Sequence, residues 1–202
     1  MLYFDFEKAR SLFKRYTQEQ VDSIAAIMDA INEYGSISKK QAAYILATAY
    51  HETAHTMLPV REGMTKTDDE ARRVLGRWRD TKPKSWAVHK YLKAVGEYGH
   101  WYYGRGYVQI TWLDNYKRFA KLLRIDLYQY PDLALKPDIA AKILVIGMMQ
   151  GLFSSKKLSD YVNEKTCDYL RARKVVNGTD QAARIAQYAK TFDGYLIAEC
   201  RP

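Results

Sequence analysis

The sequence of 202 residues predicts a mainly α-helical protein with little or no β structure. Three observations lead there. Apolar residues recur at steps of three and four along most of the chain, the period of one helix face. Helix start and stop signals bracket those runs. Only one short aromatic segment departs from the pattern strongly enough to suggest a strand. With 48% apolar and 13% aromatic residues the chain belongs to the globular class, and its length suits one domain with room for two lobes.

The elements follow in order. Val21, Ile24, Met28 and Ile31 keep helical spacing and stop before Gly35, a natural C-cap. Ser38 and Gln41 form a capping box opening a helix expected over 38–57, and Pro59 forbids its continuation. Further helices are expected over 68–79, 85–94, 113–123, 138–152, 158–163, 167–175 and 180–197. The last carries Ala182, Ile185, Ala189, Phe192 and Leu196 on one stripe. The most apolar run, 139–153, contains Lys142 and Gln150, is too short to span a bilayer, and reads as a buried core helix. Between Gly96 and Thr111 the pattern breaks into GEYGHWYYGRGYVQIT, a loop or short strand whose alternation over 107–111 permits a brief ladder. No repeat, low-complexity tract or linker divides the chain, so residues 1–202 are expected to form a single domain with no separate binding module.

A net charge of +9 and a pI near 9.4 favour polyanionic partners: nucleic acid, an anionic membrane surface or an acidic cell-wall polymer. The basic residues read as scattered pairs and triplets, among them Lys8/Arg10, Lys14/Arg15, Arg72/Arg73, Lys117/Arg118 and Arg171/Arg173/Lys174. No helix-turn-helix, finger or RNA-recognition signature organises them, which argues against a nucleic-acid-binding protein. Cys167 and Cys200 have no metal-ligand spacing and define no disulfide framework, the usage of a reducing compartment. The start, MLYFDFEKAR, lacks a basic region followed by an apolar run, so no signal peptide is expected. Seventeen tyrosines against six phenylalanines supply rings with a polar tip, suited to stacking on sugars or bases and to packing at core margins.

The stretch YHETAHTMLPVREG carries the chemistry. His51-Glu52-Thr53-Ala54-His55 matches H-E-x-x-H, which on a helix sets two imidazoles on one face around zinc. A third ligand is missing from the extended pattern, where Leu58 and Arg61 stand in the glycine and histidine positions; Glu70, His89 and His100 are the remaining candidates. Against this stands a pair of carboxylates. Glu52 continues the stripe Ala42, Ile45, Ala49, near the negative end of a helix, where desolvation and the dipole both raise a carboxyl pKa as a general acid requires. Glu62 lies beyond Pro59 on a turn ending in Gly63, a polar setting suited to an ionised base. Two carboxyls in contrasting settings point to glycoside cleavage.

The helix ending in His51-Glu52-Thr53, the block Tyr102-Tyr103-Gly104-Arg105-Gly106-Tyr107-Val108-Gln109-Ile110-Thr111, the following Asn115-Tyr116, and Val175-Val176-Asn177-Gly178 with Arg184 together resemble the family-19 glycoside hydrolases. That family includes plant-type chitinases and phage or bacterial endolysins, and the resemblance spans roughly residues 38–197. It implies a lysozyme-like, two-lobed helical fold with a central substrate cleft, and an inverting mechanism without metal or cofactor. It further implies that Glu52 is the general acid, Glu62 the base and Thr111 the hydroxyl holding the water. Tyr103, Gln109, Asn115 and Asn177 are implied to bind substrate, with Trp101, Tyr102 and Trp112 flanking the cleft and Arg105 bracing its loop. Inverting enzymes hold the two carboxyls roughly 6.5–9.5 Å apart. Only nine residues separate Glu52 from Glu62, fewer than in plant chitinases, so Asp69 and Glu70 stand as alternative bases. The basic, compact chain looks more like the endolysin branch, which implies a monomer acting on peptidoglycan glycan strands and the anionic bacterial envelope. Such a lysin would wait in the host cytoplasm for holin-type release. Chitin is the alternative substrate; a zinc peptidase, a nucleic-acid binder and a non-catalytic wall-binding protein are the alternative classes.

Overall fold

Seven helices account for the apolar periodicity in a computed structural model that describes residues 1–13 and 15–199. Lys14 and Cys200, named above, lie outside the described residues. The helices are α1 (Gln18–Tyr34), α2 (Lys39–Glu52), α3 (Asp68–Asp80), α4 (Val88–Tyr91), α5 (Leu113–Leu123), α6 (Pro137–Gln150) and α7 (Ala182–Tyr195). Four short strands join them: β1 (Leu2–Phe4), β2 (Val60–Arg61), β3 (Arg105–Gly106) and β4 (Leu196–Ala198).

Helix α2 is the axis of the larger core. Every residue from Gln41 to Tyr50 is buried, so the helix is enclosed on all sides rather than amphipathic. It packs chiefly on α7, while α1 packs on α6. Both long N-terminal helices begin with reciprocal capping boxes, Thr17 with Gln20 and Ser38 with Gln41. Helix α6 has Pro137 in its first turn and ends at Gly151 in the left-handed region, φ 72°. A second, smaller apolar cluster joins Ala71 and Leu75 of α3 to Val88, Leu92 and Tyr103, with Tyr91 and Trp101 at its edge. The fold thus has a large and a small core, and the segment 101–106 passes between them.

Several boundaries differ from the sequence expectation. The helix expected to reach residue 57 stops at Glu52. There Thr53 turns its hydroxyl back to the Ala49 carbonyl and accepts the Met57 N–H, satisfying both ends of the turn locally. Ala54, His55 and Met57 then adopt positive φ. The expected helix 85–94 contracts to α4, and those over 158–163 and 167–175 become 3₁₀ turns, Leu158–Asp160 and Arg171–Val175. Helix α7 yields its final residues to β4, because the N-terminal Leu2–Phe4 pairs antiparallel with Leu196–Ala198. Three residues are too few to show alternation, so β1 left no trace in the sequence pattern.

Strands β2 and β3 pair Val60 with Gly106 and Arg61 with Arg105. Gly106 has φ 88°, and a Cβ there would come within 2.9 Å of the Ala134 carbonyl oxygen. A left-handed backbone pressed against main chain is a position for glycine. Replacing Gly106 with Ala should therefore destabilise the protein by roughly 1–3 kcal/mol, measured by chemical denaturation; unchanged stability would show that this junction relaxes freely.

Candidate active site

The aromatic segment folds around Arg105. This guanidinium is only 1% exposed. Its Nε donates to Asp132 at 2.8 Å and its Nη2 to Asp68 at 3.0 Å. Its Nη1 faces the carbonyls of Trp101 and Tyr103 and the Tyr116 hydroxyl, and the whole group lies 3.7 Å from the Tyr103 ring centroid. Asp68 opens α3 and Asp132 sits in the 3₁₀ turn Pro131–Leu135, which packs on α6. Arg105 therefore braces the loop, as expected, and also ties the small core to the large one.

Glu62 hangs from this braced segment. Its main-chain N–H donates to the Gly104 carbonyl at 2.7 Å, and its Oε2 accepts the Gly104 N–H at 2.8 Å. Its Oε1 accepts the Tyr91 hydroxyl at 3.2 Å. Burial, then the Glu62 charge, push the Tyr91 phenol well above its ordinary range, so it stays a donor. The half-buried carboxylate is thus fixed by one amide and one phenol. Gln109, with φ 53°, donates to the carbonyls of Val60 and Gly106 and so fastens β2 to β3 from outside the ladder. Thr111 is half-buried; its carbonyl accepts from the Asn115 side chain at 2.8 Å, and its hydroxyl makes no hydrogen bond among the described residues. Trp112, also at positive φ (74°), remains 37% exposed beside the Tyr91 ring.

Glu52 belongs to the large core. The stripe beneath it is buried as the spacing requires, with Ala42, Ile45 and Ala49 fully enclosed. Its surroundings are not the apolar ones expected. The Oε1 atom of Glu52 is ion-paired with Nη1 of Arg173, a residue 3% exposed that also donates to the Asp180 carbonyl. The second carboxyl oxygen of Glu52 has no hydrogen bond among the described residues, and the side chain is 19% exposed. The main-chain N–H of Asn177 donates to the Arg173 carbonyl, and its own side chain closes a turn by accepting the Gly178 N–H.

Among the predicted residues, Glu62 and Gln109 are bonded to the β2–β3 junction, Asn115 is bonded to Thr111, and Glu52 and Asn177 each bond to Arg173, one to its side chain and the other to its carbonyl. Among the described residues no hydrogen bond or ion pair joins the two carboxyls. Tyr103 corrects the expectation of a sugar-stacking ring: it is fully buried, and its hydroxyl is spent on Asp68 at 2.7 Å. Tyr102 is buried likewise, bonded to the Tyr128 carbonyl. Trp101 is half-covered, with the guanidinium groups of Arg72 and Arg79 over its ring. The alternative base Glu70 accepts the Lys66 N–H at the start of α3, a cap role, and Asp69 is exposed in the same turn.

The H-E-x-x-H reading loses its geometry, because α2 ends at Glu52 and His55 lies at φ 71° in the following turn. Two imidazoles at i and i+4 on one helix do not arise. His55 instead meets the Tyr188 hydroxyl at 3.0 Å, His89 the Lys82 carbonyl and His100 the Gln129 carbonyl. Among the described residues no three His, Cys, Asp or Glu side chains gather as a metal-binding group. Burial pushes the His51 imidazole below its ordinary value, with Glu52 opposing the shift and Arg173 adding to it.

Arg173 and Tyr91 were missed by sequence reasoning. Arg173 lay inside a basic triplet that reads as solvated surface, and nothing in its spacing marks it as the buried member. Tyr91 is one of seventeen tyrosines, distinguished only by a contact across 29 residues.

No family model matches the chain, and no curated protein matches it in sequence. Solved structures do. Chitinase C from Streptomyces griseus HUT6037 superposes with TM-score 0.53 at 16% identity, covering 92% of this chain and 75% of that one. A chitinase C mutant superposes with TM-score 0.52 at 15% identity and the same coverage. A bacterial family 19 chitinase, at 18% identity, covers 91% of this chain and 93% of that one with TM-score 0.48. The first two likenesses establish the fold: the mainly α, lysozyme-like architecture of the chitinase C structures.

Asp68 supplies a pH test of the brace. Burial pushes its pKa up, but hydrogen bonds from Tyr103 and Arg72 and the charges of Arg72 and Arg105 outweigh it, holding the carboxyl below its ordinary 3.8. A carboxylate depressed in the folded state contributes stability above its unfolded pKa and loses it as pH falls through the folded one. Stability should accordingly drop as the pH is lowered below about 4, and Asp68→Asn should be less stable at neutral pH and flatter in that acid range. An identical acid limb in urea titrations of both proteins would refute the assignment.

Proposed function

We propose that this protein is a glycoside hydrolase that cleaves β-1,4 bonds of bacterial peptidoglycan by inversion, acting as an endolysin. The observation that carries the reading is a pair of half-buried carboxyls, Glu52 at the end of α2 in the large core and Glu62 bonded to Gly104 and Tyr91 at the edge of the small one, each held by part of its oxygen valence. Arg173 grips one oxygen of Glu52, leaving the other to take up a proton from solvent and then deliver it to the glycosidic oxygen. Gly104 and Tyr91 aim the Glu62 carboxylate, the base that takes a proton from the attacking water. The Thr111 hydroxyl, with its hydrogen-bonding capacity unspent, holds that water. Inversion needs the two carboxyls on opposite faces of the sugar, at roughly 6.5–9.5 Å, so that a water fits between base and anomeric carbon.

Trp112 and the solvent side of Tyr91 offer the aromatic surface that Tyr102 and Tyr103 do not. The positive charge suits peptidoglycan, whose stem peptides carry carboxylates, within an anionic envelope. A monomer released from the host cytoplasm through a holin-type route completes the proposal. A chitinase is the second reading, favoured by the fold likeness to chitinase C and by the β-1,4 backbone the two polymers share.

Mass spectrometry of fragments from purified sacculi, with and without EDTA, tests the reading. Reducing-end saccharides that survive the chelator are expected, and the reducing sugar names the bond. Peptide fragments abolished by EDTA would overturn it in favour of a metallopeptidase, and activity on chitin oligomers alone would select the chitinase. Glu52→Gln should lower turnover by roughly 10²–10⁴-fold while circular dichroism keeps its helical signal; an active variant would remove Glu52 from the acid role. Tyr91→Phe should lower kcat by about tenfold with KM little changed, the loss of one positioning hydrogen bond of about 1.4 kcal/mol; a change confined to KM would make Tyr91 a substrate contact instead.

A further inference from the structure

The positive charge is less scattered than pairs in the sequence suggest. Between Arg72 and Lys93 stand eight Lys and Arg residues and one acid, Asp80, a surplus of seven in a chain whose net charge is +9. Arg72 is paired with Asp68 and Arg79 with Asp80. Arg73, Arg77, Lys84 and Lys90 are exposed and form no ion pair among the described residues. Set among them are two exposed indoles, Trp78 at 40% and Trp86 at 50%, with the Lys82 ammonium 5.3 Å and 5.5 Å from their rings.

Helix α3 explains the arrangement. Ala71 and Leu75 face the small core. On the solvent side, Val74 and Trp78 stand one turn apart, as do Arg73 and Arg77, so an apolar stripe runs beside a basic one. Met64 continues the apolar surface, since Gly63 lies against Val74 and Met64 is exposed. The helix is therefore amphipathic inward and carries a second, partly exposed apolar stripe outward, with Val74 and Trp78 each 40% exposed.

Each candidate partner uses part of this face. Duplex DNA offers phosphates, but its bases are stacked away from the indoles. A glycan strand offers rings and carboxylates, but no apolar phase for Val74 and Met64. The surface of an anionic bilayer offers all three: phosphates for the cations, the headgroup zone for indoles, and the acyl boundary for the aliphatic stripe. We propose that the face built from α3 and the 81–90 segment docks on an anionic phospholipid membrane, with Trp78 and Trp86 at headgroup level and Arg73, Arg77, Lys84 and Lys90 over the phosphates. This takes from the proposed function only the expectation of an anionic envelope partner. Tyr91 follows directly on Lys90, so docking would set the lobe that holds Glu62 against the membrane.

Co-sedimentation of the full chain with vesicles of phosphatidylethanolamine and phosphatidylglycerol, against pure phosphatidylcholine, reads this out. Binding about tenfold or more tighter to the anionic vesicles, weakening with salt, is expected, with a blue shift of tryptophan emission. Trp78→Ala/Trp86→Ala and Arg77→Glu/Lys84→Glu should each weaken binding by about tenfold or more without altering the thermal midpoint or the hydrolysis of small glycan fragments. Equal binding to neutral vesicles, double variants that bind like the parent, or loss of vesicle binding to competing duplex DNA would each overturn the proposal. The glycosidase reading fails separately: a chain that binds vesicles but cuts no glycan ends that reading and leaves this one standing, and the reverse result does the opposite.

Discussion

Burying a guanidinium is unfavourable unless its N–H groups find acceptors, and Arg105 is enclosed by five: two carboxylates, two carbonyls and a phenol. The acceptors are supplied from distant parts of the chain, Asp68 from the start of α3 and Asp132 from the turn before α6. Meeting the demands of one cation therefore fixes how the small core sits on the large one. It also fixes the course of the segment 101–106, since two of the acceptors are that segment's own carbonyls. Removing a single partner would strand the remaining charge, which is why such a network holds a loop in one conformation.

The proposed chemistry depends on that conformation. Glu62 takes both an amide and, through Tyr91, a phenol from structure that Arg105 holds in place, and Gln109 locks β2 to β3 beside it. Glu52 is anchored independently, by Arg173 at the end of the most enclosed helix of the protein. Each carboxyl is thus tied to its own core. The relative positions of the two carboxyls are therefore set by how the cores meet, and the buried Arg105 network stands at that junction. Positive φ at Gln109 and Trp112 marks the same segment as one whose backbone is held by its neighbours.

The tyrosine surplus takes on a structural meaning in this light. Tyr44, Tyr102, Tyr103, Tyr107 and Tyr116 are among the largest fully buried side chains, rather than rings at the core margin. Four of them spend their hydroxyls inside the protein: Tyr102 on the Tyr128 carbonyl, Tyr103 on Asp68, Tyr107 on Ser23 and Tyr116 on the Tyr103 carbonyl. A phenol fills core volume as a phenylalanine does and also cross-links main chain, which suits a loop-rich junction with few helical hydrogen bonds.

The sequence by itself determined the helical class, the Ser38 cap that starts α2, all of α5 and the Gly35 cap that ends α1, because periodicity and capping are local codes read within one or two turns. It also singled out Glu52, Glu62 and the 102–111 block. Interactions of longer range were illegible. The end of α2 turned on a threonine hydroxyl folding back, and β1 on a partner nearly 200 positions away. The buried state of Arg173, the role of Tyr91 and the enclosure of Tyr103 were decided by tertiary contacts across 121, 29 and 35 residues. Composition and spacing cannot distinguish a solvated arginine or a cleft tyrosine from a buried one. That difference is made by which acceptor the folded chain brings alongside.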